Sequence, residues 1–513
     1  MPSLPEGPPG TSAPARAALT VLVGGYVFLA VVAGAPDSPL VPPLPPGSDP
    51  GWAGSAARGL GLDGLTHGQL TFLSLLLLLV ITGAFLVVAR EAWRGRVGIR
   101  SVAAAALMSL GVAVAAPLLL SRDVYSYAIY GRMPALYDAN PYVRVPADFP
   151  ADAFLPVVSG AWLRTVSLYG PVFTSMSGAL VKVFRSPEAT VAAFKVLSGV
   201  GIALTMAFAA AACRIVRPER VALAVAVVGL NPVVVLHTVG GGHNDALVAA
   251  GLSAGLLLAL RATRGRRPLR RWALGATLVL TVAALIKIVA AIPLALWVWS
   301  VVRRTEPGRR AHVAVEHLAV TGLVVVFAFL PYLQGWSTLR PLSTLSSLQG
   351  WASGPGLVAR GARSLGEAIG GSGTGDILDV MVSVAFLAIF LLVSLRLLRR
   401  ALPEGCGDDW GIALLAFALS APYLIPWYAA WILPFVPLMR DPRLAGVALV
   451  VAGVLGVTGV PAEPSGSPAL WEGMLLAVHY VAAPAMLAAL AATLYLVSGR
   501  ASSRVSGPAI RRG

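Results

Sequence analysis

The fold is decided by the segment QLTFLSLLLLLVITGAFLVVA at 69–89 and by REAWRGRVGIR, which follows it at 90–100. The first segment carries no charged side chain, and a helix needs roughly 20 apolar residues to cross a bilayer. The second segment is rich in arginine, which is typical of a short cytoplasmic loop after a span. Together they predict a membrane-spanning helix whose C-terminal end faces the cytoplasm.

The composition extends this pattern to the whole chain. Hydrophobic residues make up 57% of the 513 residues and charged residues 12%, whereas an ordinary globular chain has about 25% charged residues. A soluble protein this apolar lacks the polar groups to cover its surface. The net charge of +16 does not indicate nucleic acid, because the arginines form short clusters between apolar runs. Cys213 and Cys406 indicate neither a disulfide nor a metal site.

Apolar stretches predict most of the chain to be transmembrane. Two of them, 272–302 and 410–438, are too long for one span, and each is broken at its centre, by Lys287 and by the prolines of 422–426. We expect each to form two short helices that meet at one membrane face. The fold class is therefore an all-α polytopic membrane protein of about 12–14 transmembrane helices. The remaining predicted spans are 17–35, 69–89, 101–120, 189–213, 220–238, 245–260, 312–331, 376–396, 444–460 and 474–497.

The arginine clusters predict the orientation, because loops rich in Lys and Arg stay in the cytoplasm. Placing clusters such as 90–100 and 261–271 inside puts both chain termini inside, provided that 169–186 does not cross. This segment is then expected to be a re-entrant or surface-lying amphipathic helix on the outer side. The outer-face loop is then expected to carry juxtamembrane helices. The predicted parts are a disordered cytoplasmic tail at 1–16, a single transmembrane domain at 17–498 with long outer loops at 121–188 and 332–375, and a basic cytoplasmic tail at 499–513.

The first outer loop opens with SRDVYSYAIYGR at 121–132. Asp123 follows directly on a span, and a carboxylate at the membrane surface is costly unless it is paired or functional. It is a candidate catalytic residue. The alternative is an aspartate at a helix end that is bound to Arg122 or Arg132, with the tyrosines forming an interfacial belt.

Two further segments reach the same face. The turn GGGHND at 240–245 precedes a helix, and glycine-rich turns at helix N-termini favour anions such as phosphate. An N-cap by Asn244 or Asp245 is the alternative, although it does not explain His243. Lys287, between two apolar half-helices, is expected to reach the outer face and to meet His243 and Asp123, where its charge suits a phosphate.

A third segment supplies aromatic side chains at that face. Trp427 and Tyr428 follow the break in the second long stretch, and they are candidates to stack on a sugar or a polyprenyl chain. Interfacial anchoring is the alternative.

Several short motifs, in this order, resemble those of the GT-C membrane glycosyltransferases. The similarity is greatest to the polyprenol-phosphomannose-dependent α-1,6-mannosyltransferases that build the mannan backbone of lipomannan, and it covers about residues 100–440. The sequence departs from that pattern after Lys287, with Ile288-Val289 where a proline is common, and before Trp427, with Ile425-Pro426 in place of Ser-Pro. The motifs are DVYSY at 123–127, NPY at 140–142, YGP at 169–171, HNDAL at 243–247, LIK at 285–287 and PWYAAW at 426–431.

The resemblance implies an enzyme of the plasma membrane that acts at its outer face. Its donor would be mannosyl phosphoryl polyprenol, its acceptor an α-mannoside glycolipid or mannan, and its reaction an inversion with Asp123 as the base. The residues expected to bind the donor phosphate or lipid are Lys287, His243, Asn244, Arg132 and Tyr169. The residues expected to bind acceptor or sugar are Tyr125, Tyr127, Asp245, Trp427 and Tyr428.

Other function classes fit the sequence less well. A secondary transporter or flippase for a lipid-linked sugar would also have many spans and broken helices, but the halves show no repeat and the polar residues gather at one face. A structural scaffold explains the hydrophobicity alone. No Walker loop or zinc spacing is present, so no cofactor is predicted, and a divalent metal is left open. The expected partners are the lipid-linked donor, the glycan acceptor and membrane lipids, with no nucleic acid.

Overall fold

The computed structural model describes residues 10–45, 48–49, 51–264, 269–341, 350, 352–462 and 468–502. Within these ranges the chain forms twenty α-helices and no strand, which confirms the all-α polytopic class. The helices are α1 Ala13–Ala33, α2 Gly51–Gly59, α3 His67–Trp93, α4 Ile99–Ala115, α5 Asp123–Leu136, α6 Gly160–Leu163, α7 Pro171–Val183, α8 Pro187–Val216, α9 Val221–Gly229, α10 Asp245–Ala262, α11 Arg270–Ala284, α12 Ala291–Arg304, α13 Arg310–Phe329, α14 Gly354–Gly370, α15 Ser372–Arg400, α16 Cys406–Ser420, α17 Ala429–Ile432, α18 Pro442–Val457, α19 Pro468–Ala477 and α20 Ala483–Ser502.

Seven helical segments of the described chain are long and apolar enough to cross a membrane, and α9 with the π-helix Val233–Val239 forms an eighth that is bent by 46°. Two shorter apolar helices, α4 and α18, add to these. The expected total of 12–14 spans stays a prediction, because several of the expected spans are short or broken helices. The seven segments are Ala13–Ala33, His67–Trp93, Pro187–Val216, Asp245–Ala262, Pro307–Tyr332, Ser372–Arg400 and Pro468–Gly499.

Both long stretches are broken where the sequence indicated. Helix α11 ends at Ala284 and α12 begins at Ala291, so that Lys287 lies in the gap. Helix α16 ends at Ser420 and α17 begins at Ala429. In the first outer loop, α7 has 13 residues and is about 20 Å long, which is short of the roughly 30 Å of a hydrocarbon core. This length fits a segment that does not cross.

The expected division into a tail, one transmembrane domain and a second tail stays a prediction, although the first helix begins earlier than expected. Helix α1 begins at Ala13, with Ser12 as its N-cap, so the predicted tail 1–16 is helical from residue 13, and its first nine residues lie outside the described chain. Most of the predicted C-terminal tail, from residue 503, also lies outside it. The same holds for 265–268 in the basic cluster 261–271 and for 342–349 and 351 in the second outer loop.

The arginine clusters gather at one end of the helix bundle. The amide of Ser12, before α1, donates to the carbonyl of Arg96 after α3. Arg220, before α9, lies 4.1 Å from the ring centroid of Trp93. Arg303, near the end of α12, donates to the carbonyl of Leu398 at the end of α15. These contacts define the basic end of the bundle.

The opposite end collects the polar motifs, and we call it the site end. The amide of Leu119, after α4, donates to the carbonyl of Gly240. Another contact joins Gly170 to the break between α11 and α12, since its amide donates to the carbonyl of Ile286 at 3.1 Å. The backbone of Gly170 approaches this break so closely that a Cβ built on it lies 2.0 Å from the carbonyl oxygen of Leu285. Only glycine fits there.

We therefore predict that Gly170→Ala destabilises the protein by displacing the loop that carries Tyr169 from the Lys287 turn. Overpacking of this kind costs about 1–3 kcal/mol, and the clashing atom belongs to the backbone. Thermal unfolding of the purified protein in detergent measures the effect. Gly160→Ala is the matched control, because a Cβ there meets nothing within 4 Å. Equal midpoints for the two variants would contradict the close approach.

Candidate active site

Asp123 is the first residue of α5, at the site end. The preceding segment is held by backbone hydrogen bonds, and Leu120, which donates to the carbonyl of Leu40, has a positive φ of 60°. A left-handed conformation costs a residue with a Cβ about 1–2 kcal/mol. The chain is therefore held in an unfavourable conformation three residues before Asp123, and such conformations often mark functional sites.

The carboxylate of Asp123 remains partly accessible. Its Oδ2 lies 3.8 Å from Nδ1 of His243, and its side chain is 14% exposed. Burial raises the pKa of Asp123 to about 6; the Lys287 charge opposes this shift, and that of Asp245 adds to it. Trp162, from the short helix α6, interacts with the same carboxylate. The protonation state of Asp123 therefore changes near pH 6.

His243 lies at the centre of the site and is fully buried. Its Nδ1 lies 2.9 Å from the hydroxyl of Tyr127, and its ring stacks on Trp427 with the centroids 3.6 Å apart. Burial lowers the pKa of His243 well below its usual value, and the Lys287 charge lowers it further, so the imidazole is neutral. Its Nε2 has no hydrogen-bond partner among the described residues, which leaves one ring nitrogen for a ligand.

The glycine turn brings the backbone against this histidine. A Cβ on Gly241 would lie 2.8 Å from Cδ2 of His243 and 2.5 Å from the carbonyl oxygen of His237. Gly242 has a φ of 67°, a conformation that glycine adopts without steric cost. Gly241 therefore allows the backbone to pack against the imidazole of His243, and Gly242 allows the turn that leads into it.

Asn244 is 2% exposed, and neither of its side-chain amide atoms has a hydrogen-bond partner in the described chain. It occupies the N-cap position of α10 without making a side-chain cap, so the N-cap interpretation of Asn244 is wrong. A buried polar group without a partner costs about 1–3 kcal/mol. The amide is therefore available to a water molecule or a ligand.

Lys287 binds Asp245, the first residue of α10. Its Nζ lies 2.9 Å and 3.1 Å from the two carboxylate oxygens, and the aspartate side chain is fully buried. The same ammonium lies over the rings of Tyr428 and Trp431, at 4.7 Å and 5.1 Å from their centroids. An ammonium has three protons, so two bonds to Asp245 leave one for another ligand.

Aromatic side chains from three segments enclose the polar groups. The ring of Tyr127 meets those of Tyr169 and Phe173 edge-on, at 4.9 Å and 5.0 Å. On the other side, Tyr428 stacks on Trp431 at 4.0 Å. The arrangement is a carboxylate, a neutral imidazole and a lysine–aspartate pair within aromatic walls. Within the described residues, no three His, Cys, Asp or Glu side chains are grouped to hold a metal ion.

Comparison with known families identifies the chain at this point. A family model described as "Alpha-(1->6)-mannopyranosyltransferase, N-terminal domain" matches residues 45–303, which is half of the chain and includes Asp123, His243 and Lys287. The chain belongs to this family. Trp427 and Tyr428 lie beyond the matched part.

Similar proteins support the assignment over a longer part of the chain. Alpha-(1->6)-mannopyranosyltransferase A of Mycobacterium tuberculosis is 29% identical over 424 residues, which cover 77% of this chain and 76% of the relative. The protein of the same name from Corynebacterium glutamicum is 27% identical over 442 residues, covering 78% and 87%. The expectation of a glycosyltransferase, specifically a mannosyltransferase, is confirmed, and the transporter and scaffold alternatives lose their support.

The candidate site brings most of the sequence-predicted residues together, with different partners in two cases. Lys287 was expected to meet His243 and Asp123, but its hydrogen-bond partner is Asp245. Asp245, expected to bind acceptor or sugar, is fully buried and therefore positions the lysine. The charge of Lys287 nevertheless lowers the pKa of both Asp123 and His243.

Two expected residues lie outside this cluster. Arg132, expected to bind the donor, donates to the buried carboxylate of Asp152 at 2.7 Å. The same oxygen accepts from Tyr137 at 2.6 Å. Tyr125, expected near the acceptor, is buried and donates to the carbonyl of Pro43. Arg132 therefore makes its ion pair within the loop, and Tyr125 ties the loop to the segment before α2, because both residues lie on other faces of α5 than Tyr127.

Three aromatic residues of the site were not predicted. Phe173 follows the YGP motif after one intervening residue. Tyr423 precedes the PWY motif by three residues, and the charge of Asp123 raises the pKa of its hydroxyl further above the value set by burial. Because both residues lie beside recognised motifs, the sequence could have indicated them as site residues. Trp162 lies in a four-residue helix without any motif, and only the folded loop brings it to Asp123.

We predict that Arg132→Gln and Asp152→Asn both lower the midpoint of thermal unfolding, because removing one partner of a buried ion pair commonly costs about 3–5 kcal/mol. Arg144→Gln is the matched control in the same loop. Its ion pair with Asp148 is exposed, and such pairs contribute about 0–1 kcal/mol. An Arg132→Gln protein of unchanged midpoint but raised KM for the donor would instead support donor binding by Arg132.

Proposed function

We propose that this chain transfers mannose from a polyprenyl-phosphate donor to an α-mannoside glycolipid, with inversion and at the outer face of the plasma membrane. The observation that carries the proposal is the carboxylate of Asp123. Among the described residues, it has no Lys or Arg within ion-pair distance, and the basic side chain that does lie within that distance is His243, which is neutral. Asp245 is already bound to Lys287. Asp123 is therefore the carboxylate of the site that is available to accept a proton.

The proposed step is a single displacement. An acceptor hydroxyl attacks the anomeric carbon while its proton passes to Asp123. The bond between that carbon and the phosphate oxygen breaks, and polyprenyl phosphate leaves with the electron pair. A sugar hydroxyl is a poor nucleophile, so the base is the essential group. A β-linked donor then gives an α-linked product.

The leaving phosphate needs stabilisation more than protonation. Lys287 has one ammonium proton left beyond its bonds to Asp245, and we assign it to a phosphate oxygen. We assign the Nε2–H of His243, which has no hydrogen-bond partner among the described residues, as a neutral donor to the same phosphate. Asn244 contributes an unpartnered amide, and Tyr169 lines the adjoining wall. These residues form the proposed donor subsite.

The sugar subsite is assigned to the aromatic wall around His243. Trp427 stacks on one face of the imidazole, and Tyr127 contacts its Nδ1. Tyr428, below Lys287, closes the wall. Aromatic rings with adjacent polar groups suit a sugar, which has both apolar C–H faces and hydroxyls. The α-(1→6) linkage and a lipomannan-type acceptor are proposed from the resemblance and from the names of the relatives.

We predict that Asp123→Asn is nearly inactive, because the amide keeps the shape but does not accept the proton. Loss of a general base commonly costs about 10²–10⁴ in rate. The measurement is mannosyl transfer by purified protein from a polyprenyl-phosphate mannose to a short α-mannoside, with thermal stability recorded in parallel. The wild-type pH profile gives a second readout: activity should fall as the pH drops through about 6, because the carboxylate of Asp123 becomes protonated there.

The matched control is Asp138→Asn, on the same loop. Asp138 is exposed and has a φ of 47°, a conformation that asparagine also tolerates, so this variant should keep most of its activity. Turnover of Asp123→Asn within a few-fold of wild type would show that another group is the base.

The proposed location of the site at the outer face is supported by its position at the end of the bundle opposite the arginine clusters, because multi-pass proteins keep their basic loops in the cytoplasm. We predict that a membrane-impermeant thiol reagent applied to intact cells labels Ala147→Cys, which is exposed on the long site-end loop, and not Gly308→Cys, exposed at the basic end. Labelling of both should follow when the cells are opened. The reverse pattern in intact cells would place the site in the cytoplasm.

A further inference from the structure

A cavity with several polar side chains in its lining lies away from the residues assigned to catalysis. It has a volume of about 460 Å³ and lies between α14 and the helical segment Pro468–Gly499. Helix α14 begins against the loop that leads to Trp427, since Ser353 Oγ donates to the carbonyl of Ala421 at 2.8 Å. The cavity is therefore at the site end of the bundle, beside the candidate active site, but built from different side chains.

Its surroundings are those of a lipid-facing surface. Leu476 and Tyr480 line the cavity and are 50% and 68% exposed, and the neighbouring Val481 is 67% exposed. The segment that carries them is apolar enough to cross a membrane. The cavity therefore opens where acyl or polyprenyl chains run. A charged side chain at such a place is rare and is a candidate for binding a polar ligand.

Arg360 supplies that charge, and His479 lies against it. Nη2 of Arg360 is 3.2 Å from Nδ1 of His479. Because a guanidinium only donates hydrogen bonds, Nδ1 must accept, and the proton of the neutral ring is on Nε2. His479 belongs to the π-helix Val478–Ala482, and π-helical turns are frequent at functional sites. The cavity is thus lined by a guanidinium and an imidazole, which supply N–H donors of two kinds, and by the carboxylate of Glu472.

We propose that this cavity binds the phosphate head group of a membrane lipid, held by Arg360 with His479 and the hydroxyl of Ser364. The chains of the lipid lie along Leu476 and Tyr480. Guanidinium groups bind phosphate oxygens through paired, charge-assisted hydrogen bonds. Glu472 also lines the cavity, and its charge opposes the anion and tunes its affinity. The ligand is either the polyprenyl phosphate of the reaction or an anionic bilayer phospholipid, which share this chemistry.

Photo-crosslinking from inside the cavity tests the proposal. Leu476 is replaced by benzoylphenylalanine in the full chain, reconstituted in vesicles of digalactosyldiacylglycerol, which has no phosphate. Tritiated polyprenyl phosphate, phosphatidylglycerol or diacylglycerol is then added as the probe. We expect crosslinking of a phosphate-bearing probe well above that of diacylglycerol, and the better of the two identifies the source. Equal crosslinking of diacylglycerol would overturn the proposal.

Substitutions at Arg360 and Glu472 test whether their charges determine the affinity for the phosphate probe. Arg360→Gln should lower the apparent affinity for the phosphate probe about tenfold, whereas Arg360→Lys should retain most of it. Glu472→Gln, at an exposed position, should raise it, so the proposal does not depend on the stability of one variant. Arg185→Gln removes an exposed arginine elsewhere at the site end and should change nothing. Wild-type affinity in Arg360→Gln would refute the site.

The outcome is separable from the catalytic proposal. Asp123→Asn should crosslink like wild type at Leu476, because its carboxylate is not part of this cavity. Loss of crosslinking in that variant would mean that the two sites are one.

Discussion

The ion pair between Lys287 and Asp245 is the interaction on which the site end depends. The aspartate is fully buried at the start of α10, so removing the lysine would leave an uncompensated charge. The pair fixes Lys287 in the gap between α11 and α12, where the helix gives up its regular hydrogen bonds. The carbonyls of Leu285 and Ile286 then accept from the amides of Val172 and Gly170. The YGP loop is positioned in this way.

A chain of contacts leads from this loop to the carboxylate. Tyr169 meets Tyr127 edge-on, and Tyr127 contacts His243 at Nδ1. His243 then lies 3.8 Å from Asp123. No two consecutive members of this path are close in sequence. The site is therefore assembled by the packing of helix ends, and a change at the ion pair or at Gly170 is expected to reach Asp123 without touching it.

The sequence predicted the fold class and both broken helices, because hydropathy, Lys287 and the prolines of 422–426 act locally. It also placed Asp123, His243 and Lys287 at one end. The partners of individual side chains could not be predicted from the sequence. Arg132 pairs with Asp152, twenty residues away in a loop, and Lys287 pairs with Asp245 and not with His243. Such choices depend on which face of a helix each residue occupies and on desolvation in the folded state. Spacing does not encode these properties, and it does not reveal Trp162 beside Asp123.

In the proposed reaction, the ion pair also has an electrostatic role. Before transfer, one negative charge lies on Asp123 and one on the phosphodiester of the donor. Afterwards Asp123 is neutral and the leaving phosphate carries both charges. The total is unchanged, but negative charge has moved towards Lys287. An interaction that strengthens as this charge develops lowers the barrier, whereas equal binding of both states does not. Because Asp245 balances Lys287 in the resting site, the lysine does not bind the donor so tightly that this gain is lost.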